Sequence, residues 1–406
     1  MHGMNFSRNA GGFSFFSRAA IFLTALLVLC NYYYLYFMDF SQGSTSGAGV
    51  FGILRVVAIV LLCSLLFKPV LRRSFRLEEL LLLVFFVFGF FVISLKSVII
   101  NEGDWMYVNT LICAVPLLCL RLREDRQRFG FFWECCLLIV MLQIIGEFFI
   151  YFKGMSLWEN RAFIGGLGNP SSFGILCNVL VAYVLLLRGK SFFSFLAFSL
   201  LCAGIFMTSS MLPALLLVMV TTIWGVLRSG VKFSLLCIFS VFLLFLFYDQ
   251  ILSDHLRYKL ASMVGVVDSG QGGASASVSI RVQIHKDYLE SLVQDFSGFL
   301  FYGFSERYYK GVDSQLITYL SSFGLLATWG FWLYSIASFF RALTQRTVFS
   351  AFFATSIFIF MVSFLFNRIL DYYPMALFFF LLCVSSSCLG VERTQSYIDD
   401  EGAARL

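Results

Sequence analysis

Arg281 and His285 stand four residues apart in "SVSIRVQIHKDYLESLVQDFSG", so on a helix they share one face. Arginine offers phosphate oxygens a fixed fork of donors, and histidine is the side chain most readily used as a base near neutral pH. The same spacing also describes a solvated polar face on a helix lying in an interface. A second candidate is "WENRAFIGGLGNPSSFG", residues 158–174, where Arg161 precedes a run of glycines. Asn169 and Pro170 predict a helix start there, with Asn as N-cap and Pro at the first helical position. Gly165, Gly166 and Gly168 would let the backbone approach a ligand closely, and the helix N-terminus would offer N–H groups to an anion. Arg161 and Asn169 therefore read as a diphosphate cradle, with a tight turn as the plainer alternative.

Ionisable residues inside apolar runs are costly and tend to be functional or paired. Arg55 and Glu147 are expected at a common depth, as an ion pair or as part of the site lining. Glu134 is expected to snorkel towards the nearer surface. Asp313 opens "GVDSQLITYLSSFGLL", where it serves either as a helix N-cap or as a polar group of the site. Arg368 and Asp371 share a short loop near the C-terminal end.

The elements that must position these residues follow from composition. Of the 406 residues 60% are hydrophobic and only 13% charged, and the mean hydropathy is +0.86. That excludes a soluble enzyme. Apolar runs near the length a helix needs to cross the hydrocarbon recur along the chain, about twelve in all. They cover 19–38, 50–67, 78–95, 105–120, 131–152, 171–187, 191–207, 210–227, 233–248, 315–340, 347–366 and 374–389. The expected fold is all-α: a single polytopic membrane domain over 1–406, with a short extracytoplasmic loop at 153–170, a long one at 249–314 and a cytoplasmic tail at 390–406. Lysine and arginine collect in the short loops of one side, which sets both termini in the cytoplasm by the positive-inside rule.

The net charge of +6 is this orientation signal, spread over several loops, and implies no nucleic-acid partner. Most of the 11 cysteines fall inside spans as small apolar residues, with no disulfide or zinc spacing. In the long loop, "SDHLRYKLASMVGVV" has apolar residues at helical spacing and predicts a helix on the membrane surface. "DSGQGGASAS" predicts a flexible linker. The segment carrying Arg281 predicts a second amphipathic helix, with Ile280, Ile284, Tyr288, Leu292 and Phe296 in one stripe and Gly298 ending it. The halves of the chain show no repeat, which disfavours secondary transporters. A Walker loop, HExxH and GxSxG are also missing, so ATP-driven or metal-dependent chemistry has no support in the sequence.

The chain resembles the O-antigen polymerase and ligase superfamily over roughly residues 158–330. The likeness is carried, in order, by "NRAFIGGLGNPSSFG", "FMTSSMLPALLLVMV", the early loop arginine of "SVSIRVQIHKDYL", and "FLFYGFSERYYKGVDSQLITYLSSFGLL". The last resembles the family's Gly turn followed by a polar residue that opens a helix ending in aromatic-Gly. Ligases typically carry His-Asn after the long loop, where this chain has Asp313 and Ser314, which favours the polymerase branch. Met211 and Pro213 follow Ser210 where the family usually has an arginine, which puts a role for Ser209 and Ser210 in doubt.

The resemblance implies a polyprenyl-dependent glycosyltransferase at the outer face of the bacterial inner membrane. It would move a growing glycan from undecaprenyl diphosphate to a lipid-linked repeat unit. Arg281 and Arg161 would neutralise the departing diphosphate, and His285 or Asp313 would take the acceptor's proton. Arg55, Asn169 and Arg368 would complete substrate binding. No cofactor or metal is expected if arginines supply the positive charge. Implied partners are the undecaprenyl-diphosphate-linked oligosaccharide, membrane lipid, whose polyprenyl tail would lie between spans, and a chain-length regulator. An O-antigen ligase shares the donor chemistry and is the nearest alternative. A lipid-linked oligosaccharide flippase is the alternative of another class, disfavoured because it needs polar groups through the membrane.

Overall fold

In lipid a backbone must satisfy its own polar groups, so long apolar runs coil into helices. The structure is a computed structural model. It describes residues 14–33, 48–71, 75–99, 110, 113–114, 120–124, 126–155, 157–158, 161–188, 191–229, 283, 286–288, 290, 293–294, 296–303, 314–345 and 347–388. For 48–55, 67–71, 120–124, 126, 227–229, 348 and 387–388 it describes the backbone alone. The described helices are α1 (Phe15–Leu29), α2 (Ala48–Leu66), α3 (Leu77–Ile99), α4 (Arg126–Phe152), α5 (Pro170–Leu186), α6 (Phe192–Met207), α7 (Met211–Ser229), α8 (Phe296–Phe301), α9 (Gln315–Thr344), α10 (Val348–Phe366) and α11 (Tyr373–Cys388).

Four stretches, Leu77–Ile99, Gln127–Phe152, Gln315–Thr344 and Phe349–Phe366, are long and apolar enough to cross a membrane. The others from α1 to α11, apart from short α8, are shorter apolar helices. Large side chains such as Val87, Phe149 and Phe195 are about two-thirds or more exposed on their outer faces, which suits a lipid surround rather than water. The chain is a helical membrane protein. Ten of the expected spans thus coincide with apolar helices. The runs at 105–120 and 233–248 fall almost wholly outside the described residues, as do the expected surface helix at 253–267 and the linker after it.

One element departs from the all-α expectation. β1 (Phe67–Leu71) pairs antiparallel with β2 (Leu120–Glu124), Phe67 opposite Glu124 and Leu71 opposite Leu120. Two basic loops that read as separate connections lie side by side, and pairing satisfies backbone groups that neither loop could satisfy alone. No local pattern announces it, because the partners are some fifty residues apart.

At the centre stands α5, buried from Ser172 to Val184 without interruption. A helix apolar all round belongs inside a bundle, and α4, α6, α7 and α10 surround it. Gly174 gives the Pro213 ring of α7 room that a Cβ would take away. Asn178 Nδ2 donates across the same contact to the carbonyls of Gly174 and Pro213, both at 2.9 Å. On the other flank α9 packs along α3, with Gly330 so close to the Leu81 backbone that any side chain would collide, the close approach small residues permit between membrane helices. Phe331, Phe364 and Phe379 join α9, α10 and α11 through ring contacts of 5.0 to 5.9 Å.

The β-ribbon end gathers paired charges. Arg341 pairs with Glu78, Arg128 donates to the Leu65 carbonyl at 3.1 Å, and Arg188 lies 3.3 Å from Glu134. Glu134 also accepts from the Tyr183 hydroxyl at 2.9 Å. Its side chain is 39% exposed, so it reaches the surface as expected while two partners hold it. Among the described residues the cysteines are free, and most are buried as small apolar residues.

Candidate functional site

The opposite end holds the Gly-rich loop, and two residues one turn apart on α4 hold the loop. Glu147 accepts from the amides of Ile164 at 3.0 Å and Gly165 at 2.6 Å, and from the Tyr33 hydroxyl at 3.3 Å. Gln143 accepts from the Gly166 amide at 3.2 Å and donates to the Leu29 carbonyl at 3.1 Å. The loop itself is a short 3-10 turn, Gly165–Leu167, ending at Gly168 with φ 76°. A Cβ at Gly165 would meet the Phe173 ring, at Gly166 the backbone of Leu29 and Cys30, and at Gly168 the Tyr32 ring. The glycines thus serve close packing against α1 and α5. They present no cradle of free amides, because carboxylate and carboxamide groups of the protein already occupy those of residues 164–166. Those three amides are therefore closed to a ligand; sequence shows glycines but not what they approach.

Asn169 caps α5 as expected, its side chain accepting from the Ser172 amide at 3.0 Å, with Pro170 in the first turn. Arg161 is exposed, has φ 54°, and lies with its guanidinium 5.8 Å from the Tyr151 ring centroid. The cleft beneath it is lined by the end of α4 and by Met155, Leu157, Ala162 and Phe163. Arg55 lies on α2, its side chain outside the described residues, so its expected pairing with Glu147 has no described counterpart.

Beside the loop a polar layer joins four helix ends. Ser171 Oγ of α5 receives Asn367 Nδ2 at 2.6 Å and the Ser210 hydroxyl at 3.4 Å. Ser210 leads into α7, and Asn367 caps α10. Ser314 is the N-cap of α9 and donates to the Phe364 carbonyl at 3.3 Å. The N-cap is thus Ser314, not Asp313: the helix starts one residue later than expected. Gln315 accepts from the Leu370 amide at 3.0 Å, while its buried Nε2 has no hydrogen-bond partner among the described residues. Arg368 is paired with Asp371 at 2.7 Å. Ser210 thus joins the layer through its hydroxyl.

Part of the expected second loop helix meets the bundle here. Residues 283, 286–288, 290 and 293–294 are helical, and Tyr288 is buried against Phe299 and Ile317. Phe296, expected on the same stripe, is 59% exposed. Gly298 does not end the helix. It lies within α8, and the chain turns at Gly303, φ 69°, whose amide donates to the Gly298 carbonyl at 2.7 Å. Gly303 abuts the Ser321 carbonyl, and Gly324 abuts the backbone of Phe301 and Tyr302. At Gly324, φ 78° and ψ 173°, α9 breaks. The expected aromatic-Gly helix end is this break. Lys96 of α3 donates to the carbonyls of Ser321 and Ser322, at 3.3 and 3.0 Å, just before it.

Arg281, His285 and Asp313 lie outside the described residues. Sequence reading missed Lys96, Gln315 and Asn367, polar residues at the ends of apolar runs, and Gln143, which lies inside one. Gln143 four residues before Glu147 was the one available signal, two polar groups on one helix face. Fold and site together define a class: a helical membrane protein with a polar layer at one end. No family model and no curated protein sequence matches the chain.

Proposed function

We propose that the chain is a polysaccharide polymerase of the O-antigen type. It would transfer a growing glycan from undecaprenyl diphosphate to a lipid-linked repeat unit at the outer face of the bacterial inner membrane, both termini cytoplasmic and about twelve spans in all. The observation that carries this reading is the polar layer. Ser171, Ser210, Asn367 and Gln315 offer hydroxyls and amides suited to sugar hydroxyls, and the buried Gln315 Nε2 has no partner among the described residues. Basic loops lie at the other end, as the positive-inside rule requires of a cytoplasmic face.

The chemistry follows from the residues that feed this end. Asp313 immediately precedes Ser314 in the chain, and Tyr288, docked on α9, follows His285 by three residues. As the bond from the sugar's anomeric carbon to the diphosphate breaks, Arg281 neutralises the charge left on the diphosphate. The acceptor hydroxyl attacks the same carbon and yields its proton to His285 or Asp313. Arg368, paired with Asp371, lines the acceptor side. Asn169 contributes indirectly by starting α5, and Arg55 remains a candidate for the diphosphate.

Reconstitution of purified protein with undecaprenyl-diphosphate repeat units tests this. Wild type is expected to build a ladder on a glycan gel, and Arg281→Ala to slow it by about 100-fold or more, the loss typical of a removed transition-state donor. Lipid-linked units appearing on the opposite leaflet without chain growth would replace the reading with a flippase.

A further inference from the structure

A groove on the flank of the bundle shares no residue with the polar layer. It is a cavity of about 380 Å³ between α1 and α4, walled by apolar side chains including Phe22, Leu26, Ile139 and Leu142 and reaching Ile150 and Leu157 at its polar end. Ile150 and Leu157 also line the cleft under Arg161, so groove and cleft are neighbours. Leu142 is 57% exposed, so this flank faces the surroundings of the protein. Tyr32 and Tyr33 stand at the same end of the groove, and Tyr151 borders the cleft. Amphipathic aromatic side chains settle at the depth of lipid headgroups.

We infer that this groove holds one acyl chain of an anionic phospholipid whose head phosphate rests on Arg161. Charge selects the headgroup. Arg161 is exposed, and its one described partner is the Tyr151 ring, which leaves the guanidinium's fork available to phosphate oxygens. Glu147 lines both groove and cleft, but its oxygens are turned to the Ile164 and Gly165 amides and the Tyr33 hydroxyl, so Arg161 is the charged group left to meet a headgroup. The backbone of Arg161 is in the left-handed region at φ 54°, a costly place for a residue with a Cβ. Such strain persists where the surroundings hold a side chain in a needed direction.

Gly146 supplies the test. It borders the groove, and a Cβ built on it meets nothing within 4 Å. A side chain begun at Gly146 thus has open space at its Cβ, and Gly146→Leu is the variant that extends into the groove. Wild type, Gly146→Leu and Arg161→Gln are delipidated in detergent and offered phosphatidylglycerol, diacylglycerol and a polyprenyl phosphate in equal amounts, and retained lipid is read by native mass spectrometry. Unchanged melting temperatures show that the variants are folded; a variant that is not is replaced by Gly146→Val or Arg161→Lys, of which the first should still block and the second still bind. Wild type is expected to retain one phosphatidylglycerol, Gly146→Leu to lose it at least tenfold, and Arg161→Gln to hold it no better than diacylglycerol. Equal retention by all three proteins overturns the site. Retention of the polyprenyl phosphate in place of phosphatidylglycerol overturns the assignment to a phospholipid. Glycan transfer does not enter the readout, so failure here leaves the polymerase reading untouched, and the reverse.

Discussion

At the scale of single residues, Glu147 organises the polar end by what it accepts. A carboxylate has two oxygens and only accepts, so it satisfies two adjacent amides at once. Removing it leaves the Ile164 and Gly165 amides in a buried loop, at about 1–3 kcal/mol for each donor left unpaired. Glu147→Ala should therefore lower the melting temperature in detergent clearly. Glu147→Gln should fall between, because a carboxamide keeps one acceptor oxygen and turns an N–H₂ towards the other amide. If both variants melt like wild type, the loop is held by its packing and not by this carboxylate.

The decisive feature among the elements is the break in α9. Backbone at φ 78°, ψ 173° is open in practice to glycine alone, so Gly324→Ala carries a cost of about 1–3 kcal/mol from backbone strain. It also adds a Cβ 2.9 Å from the Phe301 and Tyr302 backbone, which should push α8 away from α9. Lys96 completes the joint from α3, because carbonyls at a break in lipid need another donor. Lys96→Met is expected to loosen the same joint by leaving the Ser321 and Ser322 carbonyls without that donor. Limited proteolysis of residues 283–303 measures both effects: faster cleavage in either variant is expected, and wild-type rates in both would show that α8 is held by other contacts. The short strands and α5 differ in this respect. The strands are positioned by each other across some fifty residues, and α5 by its chain neighbours α4, α6 and α7 together with the distant α10.

For the whole molecule the central property is its polarity from end to end. The ribbon, Arg341 with Glu78 and Arg188 with Glu134 lie at one end, and Glu147, Asn169, Asn367 and Arg368 at the other. A reporter active only outside the cytoplasm, fused after Lys153, should therefore be active, and one fused after Arg188 should be silent. The same side for both would undo the orientation on which the proposed chemistry depends. Across the bundle, the buried length of α5 and the close pass of Gly330 against α3 hold the two ends at a fixed separation.

Much of this was legible in the residues alone. Apolar runs had to become helices, because lipid offers backbone groups no other partner, and ten of the expected spans coincide with apolar helices. Asn169 and Pro170 were readable as a helix start because a cap is a local hydrogen bond, three residues in reach. Gly303 and Gly324 mark true breaks in the chain, whereas Gly298, expected to end the loop helix, lies inside α8. What no local pattern could supply was the partner of each polar group. Glycines 165, 166 and 168 look the same whether they face a ligand or the backbone of α1. Glu147 looks the same whether it pairs with an arginine or with two amides. The pairing of β1 with β2, Lys96 with the broken α9, and Ser171 with Asn367 joins residues roughly fifty to more than two hundred positions apart. Those choices belong to the tertiary structure, because a hydrogen bond is set by distance in space and the sequence records only distance along the chain.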